Sequence, residues 1–327
     1  MMSSKLCQLI LLAIMSVSSF LTGCYIDTAP PSAPPPAPPL NRSYTVATVS
    51  GFSIAGSIPN VSLVKDASDN DIVLLLYSIS GGICEATSTD GVTFSGTGVI
   101  AANDVNSMLD SKLLFETGVL VRQLSSGTWR YFIKGLGAPG SPQHIYIADR
   151  PPGGSITLGN SGDAVYTGGV TDMGFVGVID IVKASGGEWV MYYVSTKASP
   201  SNSRNAISAN EGMSWTFNSD NPFSDISLTG ATNLNVDPAV LQLQDDTFMA
   251  VTMRAMKLYF WNSLDGYTWT EIAQSELCID LWASAERGDA QGLFDPTLLQ
   301  LPNGTIYLYV TAGQGTTDHL VAATITY

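Results

Sequence analysis

Two aspartates in this chain are each followed by proline, Asp237-Pro238 and Asp295-Pro296, and each heads an apolar run. A carboxyl group held in apolar surroundings can give or take a proton near neutral pH. Two of them facing across a sugar ring, about 5 to 9.5 Å apart, are what hydrolysis of a glycosidic bond requires. Proline restricts the backbone that aims the preceding side chain. A wider set of polar residues falls at related places. Glu116 precedes one apolar run, and the segment from Cys278 to Leu293 carries Asp280, Trp282, Glu286, Arg287 and Asp289. Arg254 and Lys257 flank a short loop, and His144 and His319 stand at matching positions before apolar stretches. Asp237, Asp295 and Glu286 are therefore the candidate acid, base or nucleophile. Glu116, Arg254, Trp282, Arg287, His144 and His319 are candidate substrate contacts. Each Asp-Pro has a plainer alternative, a turn in which the carboxylate caps neighbouring amides, and the histidines also read as solvated loop residues.

These residues matter together only if a repeating architecture brings them to one place. Four stretches overlay as apolar run, polar turn and second apolar run: 118–133, 178–194, 237–252 and 295–310. A fifth, 58–78, has the same shape with a longer turn. Each is a β-hairpin signature. With Pro59, Val119, Ile179, Pro238 and Pro296 as equivalent positions, the steps are 60, 60, 59 and 58 residues. Such a period, with no convincing amphipathic helix, predicts an all-β fold, a five-bladed β-propeller of four-stranded blades. A two-sheet sandwich is the competing architecture, and it does not explain a 60-residue period. The last unit has only one strand after its hairpin, 319–325, so 43–49 is expected to supply the outer strand and close the ring. Heads of inner strands, inter-blade loops and loops between second and third strands then converge on one face.

A second kind of turn recurs after the third strands. It reads Ser88-Thr89-Asp90-Gly91-Val92-Thr93-Phe94, Ser208-Ala209-Asn210-Glu211-Gly212-Met213-Ser214-Trp215 and Ser263-Leu264-Asp265-Gly266-Tyr267-Thr268-Trp269. The Asp or Asn is expected to accept backbone hydrogen bonds, Gly to supply a positive φ, and the aromatic to pack back on the blade. These turns resemble the Asp-box of sialidases and related glycosidases. Together with the repeat, they make Ser43 to Tyr327 resemble the sialidase-like and the five-bladed furanosidase and arabinanase-like hydrolases. The resemblance implies a glycan-directed site in the central funnel. It also has departures. Sialidases open their first blade with an arginine that clamps the substrate carboxylate, and here the stretch is Gly56-Ser57-Ile58-Pro59, with Ser57 at that place. Arabinanase-like enzymes carry a catalytic aspartate at the start of that blade, where this chain has Asn60 nearby and no carboxylate.

The chain's address is written in its first 40 residues. Lys5 and the apolar stretch from Leu6 to Phe20 form a signal-peptide pattern, and Leu21-Thr22-Gly23-Cys24 resembles the lipobox of bacterial lipoproteins. The expected organisation is a removed signal peptide at 1–23, a lipidated Cys24 with a Pro-rich linker at 24–42, and the propeller at 43–327. Tyr25 after the cysteine favours the outer membrane of a bacterial envelope. Ala29 to Pro39 is mostly Pro and Ala, a stiff polyproline spacer. Charged residues are 13% of the 327 and the net charge is −14, which repels nucleic acid. The expected partners are a glycan or another surface ligand, and the membrane through the anchor; the chain is expected to be a monomer. No cofactor is expected, and calcium in an axial channel is left open. Cys84 and Cys278 either pair or stay as buried thiols. Three functions remain open: a surface glycan-processing enzyme, a carbohydrate- or partner-binding propeller without catalysis, and an envelope scaffold.

Overall fold

In the computed structural model the described residues are 42, 44–79, 82–100, 119–135, 142–169, 172, 174–195, 202–220, 222–223, 235–254, 257–272, 292–313 and 318–327. Glu116, Trp282, Glu286, Arg287, Cys278, Asp280, Asp289 and the whole leader with Cys24 lie outside them.

The 60-residue period becomes five antiparallel sheets. Blade one is β3 (Ser57–Lys65), β4 (Asp71–Ile79), β5 (Gly82–Ser88) and β6 (Ser95–Val99). Blade two is β7 (Val119–Gln123), β8 (Trp129–Gly135) and β9 (His144–Arg150), edged by the short β10 (Thr157–Leu158) and β11 (Tyr166–Thr167). Blade three is β12 (Gly177–Lys183), β13 (Trp189–Ser195), β14 (Asn202–Ser208) and β15 (Thr216–Asp220). Blade four is β16 (Val236–Gln242), β17 (Phe248–Arg254), β18 (Lys257–Ser263) and β19 (Thr270–Glu271). Blade five is β20 (Leu293–Gln300), β21 (Ile306–Ala312) and β22 (His319–Thr326).

The ring closes as the missing strand demanded. β1 (Thr45–Thr48) pairs antiparallel with the end of β22, Thr45 opposite Thr326, and β2 (Ile54–Ala55) pairs with its start, Ala55 opposite His319. The outer position in blades two and five is thus two short segments where the other blades have one strand. The inner strands contact one another in the cycle β3, β7, β12, β16, β20 and back to β3.

Burial explains why this is a propeller and not a sandwich. Successive residues of a strand point to opposite faces, so a strand covered on both sides reads as a continuous apolar run. In β4, Val73 and Leu75 pack into a cluster shared with blade five, while Leu74 and Leu76 pack into one shared with blade two. In β17, Phe248 and Ala250 face blade three, and Met249 and Val251 face blade five. Five apolar clusters result, one in each gap between blades.

The recurring turns fasten one blade to the next. Asp90 Oδ1 accepts the Val92 and Thr93 amides at 2.8 and 2.7 Å, and Asp265 Oδ1 accepts those of Tyr267 and Thr268 at 2.7 and 2.8 Å. Asn210 Oδ1 accepts the Ser214 amide at 3.0 Å. Gly91, with φ +74°, comes so close to Tyr307 and Tyr309 of blade five that a Cβ there would meet ring and hydroxyl atoms at 2.9 and 3.0 Å. The Tyr309 hydroxyl donates to the Gly91 carbonyl at 2.6 Å, and Tyr192 of blade three donates in the same way to Gly266. These turns lie at the ends of third strands, on the face opposite the heads of the inner strands.

The inner strands are also laced across the axis. Arg122 of blade two pairs with Asp180 of blade three and donates to Ser62 of blade one at 2.9 Å. Asp180 in turn accepts the Val240 amide of blade four at 2.8 Å. Thr297 of blade five accepts the Val61 amide of blade one at 3.3 Å. Below this network, at the hairpin face, the channel opens into a cavity of about 730 Å³ whose lining includes Gln123, Lys183, Gln242 and Gln300. The large cavity and the Asp-Pro pair therefore sit at opposite ends of the axis.

Candidate functional site

The inner strands of four blades begin with a β-bulge. The ladder slips between Ser57 and Asn60, Gly177 and Asp180, Val236 and Ala239, and Phe294 and Thr297. At each slip one residue turns to positive φ: Ile58 at 53°, Val178 at 38°, Asp237 at 50° and Asp295 at 47°. Extended backbone is the norm before proline, so the left-handed turn at the two Asp-Pro sites departs from the sequence expectation. The rungs on either side fix the register, and the extra residue between them is accommodated by the left-handed turn. Because Ile58 and Val178 bear the same strain, it belongs to the architecture, and what is particular to blades four and five is the carboxylate.

The bulges bring Asp237 and Asp295 together. Asp237 is buried, 9% exposed, and its carboxyl receives the backbone amide proton of Asp295. Burial, and then the charge of Asp295, push the Asp237 carboxyl well above the ordinary carboxylate range against that one amide. Asp295 is raised to about 6, by burial first, with the Thr311 hydroxyl pulling down and the charge of Asp318 pushing up. Thr311 Oγ1 lies 3.4 Å from Asp295 Oδ2. Two interacting carboxyls titrate as a unit, and both members of this pair hold their protons to higher pH than an ordinary carboxyl does. A carboxyl raised toward neutral pH in this way can give or take a proton, as acid–base catalysis needs.

Asp318 is the site residue that the sequence reading missed. Its carboxyl is raised by burial, with His319 drawing it down, and its Oδ1 is buried with no hydrogen-bond partner among the described residues. Its backbone carbonyl accepts the Gly56 amide at 3.1 Å, across the seam between blades five and one. The signal was available, since the residue next to it, His319, opens the third strand on the same face.

The other described candidates are engaged within their own blades. Arg254 is buried, donates to Glu271 Oε1 at 3.0 Å in the outer strand β19, and lies 3.7 Å over the Tyr259 ring. His144 Nδ1 is 2.9 Å from Thr167 Oγ1, beside Tyr146, and burial lowers its pKa. His319 pairs in register with Ala55 and Ala312 and adjoins Asp318. Glu116, Trp282, Glu286 and Arg287 are the candidates outside the described residues. Among the described residues no group of three or more His, Cys, Asp or Glu side chains is arranged to hold a metal ion. Cys84 is buried, and Cys278 lies outside the described residues.

No protein-family model matches this chain, and no curated protein sequence is similar to it. Solved structures do share its fold. A thermostable family-43 glycoside hydrolase superposes with a TM-score of 0.60 at 14% identity, covering 86% of this chain and 93% of its own. An endo-arabinase from Bacteroides thetaiotaomicron gives 0.59 at 15% identity, covering 88% and 98%. An endo-1,4-β-xylanase from the same organism gives 0.57 at 13%, covering 84% and 91%. The chain is a five-bladed β-propeller similar to those of glycoside hydrolases; at these identities the likeness is one of fold.

Proposed function

We propose that this propeller acts on glycans at the face where Asp237 and Asp295 head their blades, by hydrolysis of a glycosidic bond. The observation that carries the reading is the Asp237–Asp295 pair, set at matching bulges of neighbouring inner strands with both carboxyls raised above the ordinary range. Asp237 is the proton donor and Asp295 the base or nucleophile. Glu286, Trp282 and Arg287 precede β20 in sequence, and Glu116 precedes β7. In this reading Glu286 is a further catalytic carboxyl, and Glu116, Trp282 and Arg287 are sugar contacts. Ser57 in place of the sialidase arginine argues for a neutral sugar as substrate. The leader, with Cys24 as the lipidated residue, would hold the domain at the bacterial cell surface, on the outer membrane.

One observation favours a second reading, carbohydrate binding without turnover. The equivalent bulge positions of blades one and three hold Ile58 and Val178, so the Asp237–Asp295 pair and its neighbour Asp318 come from blades four and five. Hydrolysis needs an acid and a base or nucleophile on opposite sides of the scissile bond, and an Asp237–Asp295 pair confined to one side would bind a sugar without cleaving it. A chromogenic-glycoside screen beside a glycan array, run on the wild type and on the Asp237→Asn, Asp295→Asn double variant, separates the two. Turnover in the wild type and none in the variant is the expected result. Binding by both proteins with turnover in neither would sink the catalytic reading.

A further inference from the structure

Thr311, near the end of β21, is 1% exposed and sits where blade five meets blade one. Its Oγ1 accepts the amide proton of Ile58, the bulge residue of blade one, at 2.8 Å. A hydroxyl has one proton to give. With Ile58 on the acceptor side, the Thr311 proton is free to turn to Asp295 Oδ2, 3.4 Å away. The same seam carries the Gly56 amide bonded to the Asp318 carbonyl, so the backbone of blade one braces both acids of blade five.

We propose that Thr311 is a positioning residue for Asp295: it relays the fixed Ile58 amide into a directed hydrogen bond that holds one carboxylate oxygen at the blade-one seam. The inference rests on the reading of Asp295 as base or nucleophile, and it adds a function for the bulge of blade one, which has no carboxylate of its own. Ile58 contributes its amide, aimed by the same strained turn that presents a carboxylate in blades four and five. The device directs the remaining oxygen of Asp295 to the funnel. It also favours the ionised form, since a donor to a carboxylate stabilises the charge. The titratable groups facing Asp295 among the described residues are Asp237 from β16 and Asp318 ahead of β22, the latter beside His319.

The test reads the carboxyl itself, so that it stands whether or not turnover is found. In the full chain with 13C-carboxyl aspartate, the Asp295 resonance is assigned by its loss in Asp295→Asn and followed against pH. Thr311→Val should move its midpoint upward by about half a pH unit or more, and Thr311→Ser, which restores the hydroxyl, should return it. A midpoint unmoved in Thr311→Val, or moved equally in Thr311→Ser, overturns the proposal. The wild type supplies a second measurement that needs no folded variant. The Ile58 amide nitrogen, linked to Asp295 through one hydroxyl, should shift with the Asp295 midpoint, and a flat Ile58 resonance across that range also overturns it. Absence of glycosidase activity with both titration results as expected would reject the catalytic reading and leave the positioning of Asp295 intact.

Discussion

Removing the carboxylate at the centre of the axial network should be among the costliest single changes available to this fold. Asp180 is 6% exposed and its partner Arg122 is 22% exposed, so the pair is shielded from solvent. Asp180→Ala removes the ion pair and the acceptor of the Val240 amide, while Arg122 keeps its bonds to the Ile181 carbonyl at 2.7 Å and to the Ser62 hydroxyl and Val121 carbonyl at 2.9 Å. Breaking a buried pair on one side costs about 3–5 kcal/mol, most of it for stranding the other charge. The orphaned amide adds about 1–3 kcal/mol, not independently of the first. Against a total stability of about 5–15 kcal/mol, the variant should stand near the threshold of folding. Arg122→Met combined with Asp180→Leu strands no charge and should recover much of the loss. Equilibrium urea unfolding of Arg122→Met, Asp180→Leu, the double variant and the wild type closes the cycle, with Asp180→Ala measured beside them. If Asp180→Ala lost less than about 1 kcal/mol, or the double variant were less stable than Asp180→Ala, the claim that this pair laces the blades together would be wrong.

The same chemistry that suits Asp295 to proton transfer should burden the fold. Its carboxyl is raised to about 6, so its contribution to stability is full below about pH 4 and is lost as pH rises through 6. Asp295→Asn should remove that loss and stabilise the protein at pH 7.5 by up to about 3 kcal/mol, less for its partial exposure, while abolishing turnover; thermal melts at pH 4 and 7.5 check it. Asp237→Asn should act in the same direction. The turn aspartate Asp90 has the opposite sign. Backbone amides hold it down at about 2, so its contribution is present above about pH 4 and fades as pH falls toward 2. Gly91→Ala should destabilise by about 1–3 kcal/mol, from both the positive φ and the contact with Tyr307 and Tyr309, without changing any kinetic constant. An unchanged melting temperature would mean that the turn does not clamp blades one and five.

Much of the architecture was legible in the sequence because it rests on local signals repeated five times. The second strands are covered on both faces, so β4, β13, β17 and β21 read as largely apolar runs and β8 as one interrupted by Arg130 and Lys134, and tight turns fall at a fixed period. The shortfall of one strand in blade five foretold that residues 43–49 would complete it, since the other repeats supply a strand at that place. The Ser, Asp and Gly of the recurring turns stated their own hydrogen bonding. Only tertiary structure could decide which polar residues meet. Asp237 and Asp295 are adjacent because neighbouring inner strands converge at one end of the axis, and their carboxyls are raised by burial and neighbouring charge, which no local pattern encodes. Arg254 was placed on the rim by its loop, yet Glu271 and Tyr259 of its own blade engage it. Asp318 and Thr311 have no motif of their own, and the closing of the ring puts them beside Asp295. Sequence period fixes the number of blades through local pairing and burial; the chemistry depends on contacts between residues tens to hundreds of positions apart, and only the closed ring creates those.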